Sequence, residues 1–250
     1  MAVVDVQFRS EALNHDVFYS LILPESGDAP YPVVFQLHGL GDSHRAWIDK
    51  SMLVMHVRHY PLAIVMPGTG TDAYLNWDSG DRLHQHRYED LIMTDIRDHL
   101  RRHFNVTAGP WGIGGLSMGG YGAMRLGLKY PDVFASIWSH SSAFLIADRV
   151  AEGGFVGDAL ADASVYVQAD RLKASSGPLP AISFDCGVDD ELIEDNRKFD
   201  AYLTSIGLEH HYAEHPGAHT WDYWDFHVRE ALAQHARILG VQEVVPGSFT

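Results

Sequence analysis

Gly115-Leu116-Ser117-Met118-Gly119 has the form G-x-S-x-G, the spacing that holds a serine on a sharp strand-to-helix turn with its hydroxyl exposed. Such a turn forces the serine backbone into a strained conformation. Bulky side chains two positions away on either side would clash there, and Gly115 and Gly119 remove that clash. The helix that follows aims its first amides, Met118 N–H foremost, at any anion formed beside Ser117. The chemistry suited to this arrangement is nucleophilic attack by Ser117 on an acyl carbon.

A serine hydroxyl is a weak nucleophile near neutral pH and needs a base, which in turn needs an orienting acid. After an elbow of this type the partners follow in the order serine, acid, histidine, on loops beyond later strands. The chain carries sixteen histidines, but only His215 and His219 fall between the last predicted strand and the last predicted helix. His219 is preferred because Pro216-Gly217-Ala218-His219-Thr220-Trp221 is a flexible loop able to reach Ser117, whereas His215 abuts the strand and Pro216. Two acids, Asp189 and Asp190, sit in the loop after the preceding strand, and the residues alone favour Asp190 only slightly. An oxyanion hole needs a second amide beside Met118. His38-Gly39-Leu40-Gly41 follows the first central strand, so the Leu40 N–H is the expected donor. Because His219 must be neutral to accept the serine proton, activity is expected to fall in acid.

These loops require a particular frame. Val3 to Phe8 and Val17 to Leu23 are predicted as an edge hairpin. Tyr31 to Leu37, Leu62 to Met66, the strand before Ser117, Val133 to Trp138, Ala181 to Cys186 and His210 to Glu214 are predicted as strands, the apolar runs among them suiting burial on both faces. Helices are predicted from about Ser43 to His59, Tyr88 to Phe104, the elbow to Lys129, Glu191 to Ile206 and Trp221 to Leu239. Alternating strands and helices imply an α/β architecture: a mostly parallel central sheet with an N-terminal antiparallel hairpin and helices on both faces. Residues 68–83 read as a long loop. The pattern breaks between about 143 and 180, where a small lid-like insertion over the strand ends is expected. Residues 1–250 read as a single domain, without repeats or linkers.

Composition limits the function. The 250-residue chain is 46% hydrophobic, 20% charged and carries a formal charge of −15, which suits a large core and disfavours nucleic acid or anionic membrane partners. A lone cysteine, Cys186, excludes an internal disulfide. The N-terminus lacks signal-peptide character and no apolar run approaches a membrane span, so a cytoplasmic location is expected. Homo-oligomer formation stays open.

Gln36-Leu37-His38-Gly39, Gly115 to Ala123, Cys186-Gly187-Val188-Asp189-Asp190 with Asp195-Asn196, and Gly217-Ala218-His219-Thr220-Trp221 together resemble the esterase D / putative esterase family over nearly the whole chain. The resemblance implies an α/β-hydrolase fold and a serine carboxylesterase acting on short-chain carboxylic esters, O-acetyl and feruloyl esters included. Its acid lies three residues beyond the Cys-Gly pair, on Asp190. The same family contains S-formylglutathione hydrolases, which resemble this chain less well around His38-Gly39-Leu40-Gly41-Asp42, and mycolyltransferases. An acyltransferase and a non-catalytic binding protein on the same fold are the rival readings. A small-molecule ester is the expected partner, and no cofactor is needed. Gly39, Trp77, Ser142 and Trp221 are expected to contact substrate, with Tyr223, Trp224, Ala143 and Phe155 as further candidates. No metal site is expected: His84/His86 and His210/His211 lack ligand spacing, and Asp72, Asp78 and Asp81 lack an EF-hand order.

Overall fold

The structure, a computed structural model, describes residues 1–77, 85–146 and 158–244. Eight strands form one sheet: β1 (Ala2–Arg9), β2 (Asp16–Leu23), β3 (Val33–Leu37), β4 (Ala63–Pro67), β7 (Trp111–Leu116), β8 (Phe134–His140), β9 (Ala181–Gly187) and β10 (His211–His215). Their spatial order is β1-β2-β4-β3-β7-β8-β9-β10. β1 pairs antiparallel with β2, and β2 with β4; every later pairing is parallel. β5 (Asn76–Trp77) and β6 (His86–Arg87) form a separate two-stranded ribbon. The hairpin and the parallel sheet are those expected from the sequence, with β3 starting two residues later, after Pro32, and β10 one residue further along.

Burial on both faces explains the apolar runs. Val33, Phe35 and Leu37 of β3 and Ala63 and Val65 of β4 join one core, while Val34, Ile64 and Met66 join the other, as the two-residue period of a strand dictates. The elbow helix (Met118–Lys129) fills the first core with Tyr121, Ala123, Met124, Leu126 and Leu128. The last helix (Trp221–Ile238) fills the second with Tyr223, Trp224, Val228, Leu232 and Ala236.

Two predicted helices are interrupted. The stretch expected from Ser43 to His59 breaks into Ala46–Asp49, Leu53–His56 and a 3-10 turn at Val57–His59. Ser51 causes the break locally: its hydroxyl bonds the Trp47 carbonyl and accepts the Leu53 N–H at 3.2 Å, offering the backbone an alternative to helix. Asp225 on the last helix then captures the Met52 N–H at 2.7 Å. The helix from Tyr88 to His103 widens to a π-helix at Leu91–Ile96, where Leu91, Ile92, Met93 and Ile96 are all buried.

Within residues 143–180, Asp158–Ala163 and Val165–Ala174 are helices, and Val165, Ala169 and Leu172 join the first core. Arg125, buried on the elbow helix, reaches Glu89 and lies 2.8 Å from Asp162, and Lys129 binds both acids at 2.7 Å. This shared pairing ties that segment to the elbow helix. Among the described residues no helix is long and apolar enough to cross a membrane.

Candidate active site

Ser117 stands between β7 and the elbow helix with φ 53° and ψ −118°, a conformation a non-glycine residue holds only where the surroundings enforce it. They do so through close backbone packing. A Cβ on Gly115 would lie 2.5 Å from the Gly119 carbonyl oxygen, and one on Gly119 would lie 2.5 Å from the Leu37 and His38 oxygens. The Ser117 N–H donates to the His140 carbonyl at 2.9 Å, which anchors the turn to the end of β8.

The imidazole of His219 bridges two partners. Its Nε2 lies 3.0 Å from Ser117 Oγ, and its Nδ1 lies 2.9 Å from Asp190 Oδ2 and 3.1 Å from Oδ1. The Leu192 N–H also donates to Asp190 Oδ1 at 2.8 Å. Burial opposes charge on Asp190, but the bonds from His219 and Leu192 outweigh it and hold the carboxyl below its ordinary range. A carboxylate acceptor at Nδ1 leaves Nε2 free to accept the Ser117 proton. His215, the other candidate, points elsewhere: its ring stacks on His227 at 4.2 Å. Asp189 is exposed and contributes its amide to the Gly217 carbonyl at 2.9 Å.

Leu40 and Met118 both line the cleft beside Ser117. Met118 opens its helix, so its N–H has no carbonyl one turn back. Leu40 is 67% exposed, and its backbone N–H is the group expected to face the oxyanion. His38 orients it, a role the sequence did not disclose. The Thr69 N–H donates to His38 Nε2 at 3.0 Å, so the proton sits on Nδ1, which donates to the Gly39 carbonyl at 2.7 Å. Gly39 C=O and Leu40 N–H share one peptide plane, so gripping the oxygen aims the N–H. Tyr74 Oη fixes the preceding plane by donating to the His38 carbonyl at 2.8 Å. Burial, foremost, lowers the His38 pKa and keeps this ring neutral.

The cleft has a volume of about 920 Å³ and is lined by Gly39, Ser117, Ala143, Ile146, Trp221 and Trp224, among others. Trp224 meets the His219 ring edge to face at 4.9 Å, Trp221 meets Trp224 at 5.4 Å, and Trp47 meets Trp221 at 5.2 Å. These aromatics give the mouth a rigid apolar wall. Lys50 Nζ lies 5.5 Å over the Trp221 ring and is paired with Asp42.

Two expected contacts are corrected. Ser142 is fully buried behind the elbow rather than on the cleft wall. Its N–H and C=O bond the Asn196 side chain at 3.3 and 3.0 Å, and its hydroxyl occupies the space left by the missing side chain of Gly120. Trp77 is not among the residues lining the cleft: its ring stacks on His86 at 3.6 Å and its Nε1 donates to Asp72 at 3.1 Å. Phe155, Asp78, Asp81 and His84 lie outside the described residues. Tyr223 faces inward, donating to Asp185 at 2.8 Å. His210 is spent on the Leu208 carbonyl and Asp200, at 2.8 and 2.9 Å. Cys186 is buried, which pushes its thiol pKa up and leaves it unreactive.

The sequence profile of the family described as putative esterase matches residues 10–235. An acetyl esterase from Caldicellulosiruptor saccharolyticus is 26% identical over 268 residues, covering 95% of this chain and 99% of that protein. An esterase from Mycobacterium tuberculosis is 26% identical across 86% of this chain, which spans 55% of that longer protein. An S-formylglutathione hydrolase from Agrobacterium tumefaciens superposes with a TM-score of 0.86 at 19% identity, covering 95% of each chain. One from Staphylococcus aureus superposes at 0.80 with 24% identity, covering 93% of this chain and 97% of that one. These structural likenesses establish the α/β-hydrolase fold.

Proposed function

The chain belongs to the putative esterase family and is a carboxylic ester hydrolase; from that premise we propose that Ser117, His219 and Asp190 are its catalytic triad and short-chain acyl esters its substrates. The observation that carries the proposal is the His219 ring, within 3.0 Å of the Ser117 hydroxyl on one side and 2.9 Å of the Asp190 carboxylate on the other. Ser117 Oγ attacks the ester carbonyl while His219 Nε2 takes its proton. Charge gathers on the former carbonyl oxygen, which the Leu40 and Met118 amides receive. The C–O bond to the alcohol breaks as His219 returns the proton to that oxygen, leaving an acyl-Ser117. Water, deprotonated by the same imidazole, attacks the acyl carbon; the bond from that carbon to Ser117 Oγ breaks as His219 returns the proton to Oγ, releasing the acid and restoring the free serine. Asp190 stays ionised and holds the ring in the tautomer these steps need.

The substrate range rests on the shape of the cleft and on the acetyl esterase relative, which shares nearly its full length with this chain. Ala143 and Ile146 give one wall small and aliphatic surface for an acyl group, while Trp221 and Trp224 offer a broad platform for the alcohol. Hydrolysis of p-nitrophenyl esters of increasing acyl length tests the reading. Acetate and butyrate are expected to be turned over with kcat/KM falling for long chains, and Ser117→Ala is expected to abolish turnover of all. Undiminished hydrolysis in that variant would overturn the assignment.

A further inference from the structure

A second cluster of chemically capable side chains lies outside the cleft. His215 ends β10 and leads directly into the loop that carries His219. His227 and Glu230 sit one turn apart on the last helix, with His227 Nδ1 3.1 Å from Glu230 Oε1. The two imidazoles stack at 4.2 Å between centroids. One ring nitrogen from each histidine and one carboxylate oxygen all lie within 4.8 Å of one another. The ring atom His215 Nε2 is buried without a hydrogen-bond partner, so its lost hydration is not made good within the fold. An open cavity of about 480 Å³, walled by Pro216, Asp222, Phe226 and both histidines, gives the cluster a path to solvent.

We propose that His215, His227 and Glu230 bind one divalent transition-metal ion, Zn²⁺ in the first instance, as a clamp between the start of the His219 loop and the last helix. Two imidazoles and a carboxylate suit Zn²⁺ and its neighbours rather than Ca²⁺ or Mg²⁺, which prefer all-oxygen shells. Zn²⁺ bonds of about 2.0–2.2 Å place tetrahedral ligands roughly 3.4 Å apart, so modest side-chain rotations close the observed spread. Water from the cavity fills the fourth position. The strongly acidic chain favours a cation. The ion takes no part in ester cleavage: it is a structural element, and its binding is measurable whatever Ser117 does.

The test is calorimetric titration of Zn²⁺ into chelator-treated protein near pH 7.5, with Co²⁺ as a spectroscopic substitute and melting followed with and without about 100 µM Zn²⁺. One ion per chain is expected, with visible Co²⁺ absorption and a raised Tm. Glu230→Gln and His227→Gln are each expected to weaken binding by roughly tenfold or more and to cancel the rise in Tm. His227 is 6% exposed, so its replacement can disturb packing; Glu230 is exposed and gives the decisive variant. Equal affinity and stoichiometry in Glu230→Gln would move the ion to other histidines and overturn the proposal. So would a parent protein that binds no Zn²⁺ at about 100 µM.

Discussion

The two halves of the active site are built by different means. The nucleophile half is locked in the interior: Ser117 follows β7, every residue of which is buried, and its neighbours Gly115 and Gly119 sit in backbone contact with surrounding chain. The His219–Asp190 half is a rim structure on the edge strand side, where two loops are laced to each other. Val188 N–H donates to the His215 carbonyl and Asp189 N–H to the Gly217 carbonyl, both at 2.9 Å. A Cβ on Gly187 would come 2.3 Å from the Gly217 oxygen. Core packing thus fixes the serine absolutely, whereas the acid and base are fixed chiefly to one another. The two halves also register beneath the sheet, where His235 of the last helix lies against Gly112 and Gly114 of β7.

Removing chemistry while keeping both halves intact gives the largest effect. Ser117→Ala and His219→Ala are each expected to lower kcat by about 10⁴-fold or more, with Tm unchanged to within a few degrees. Initial rates and thermal melts check this, and a low Tm in either variant would show that the site also supports the fold. Glycine replacements separate the halves. Gly119→Ala drives a Cβ into backbone, so loss of folded protein is expected. Gly187→Ala drives a Cβ into backbone as well, but into the Gly217 loop at the rim rather than into β3; the loop can shift, so the protein is expected to fold, with kcat reduced by roughly 10²-fold through misplacement of Asp190 and His219. Equal folding yields for the two variants would erase the distinction.

His38 joins the oxyanion loop to the nucleophile half. His38→Ala is expected to reduce kcat by about 10- to 100-fold with KM nearly unchanged, because one amide donor contributes about 3 kcal/mol and is misdirected rather than deleted. His38→Asn, which restores a donor for the Gly39 carbonyl, is expected to recover part of that loss. A purely structural role would instead lower Tm without splitting kcat from KM.

The seam beneath the sheet gives the smallest and most gradual effect. His235 is fully buried, with Nδ1 2.8 Å from Ser136 Oγ, and desolvation lowers its pKa to about 3. The unfolded chain takes up a proton near pH 6.5 that the folded chain refuses until about 3. Between those values stability therefore drops as the pH is lowered, by roughly 1.4 kcal/mol per unit from this group. Denaturant titrations across pH 7 to 4 measure the slope, and His235→Gln is expected to flatten it.

Much of this organisation was legible in the sequence because it rests on local rules. Val33 to Leu37 reads as a doubly buried strand from its apolar run alone, and the spacing of Gly115, Ser117 and Gly119 marks a strained turn. The loops of Asp190 and His219 follow from chain order. What escaped depends on distant partners. Ser142 resembles a pocket residue until Asn196 and Gly120 are found on either side of it. Trp77 looks available until His86 and Asp72 take its ring and its N–H. The helix after β3 breaks at Ser51 partly because Asp225, far along the chain, claims a backbone amide. His38 stands in plain view beside Gly39, yet its role needs Thr69 to fix the tautomer. His215, His227 and Glu230 carry no ligand-spacing motif, since one comes from a strand end and two from a helix.

The most direct measurement is reaction of the native chain with a fluorophosphonate, followed by peptide mapping of the adduct. A single phosphonyl group on Ser117, formed rapidly by the parent and slowed by orders of magnitude in His219→Ala, is the expected result. An adduct on another residue, or equal labelling rates in the two proteins, would contradict a serine activated by that imidazole.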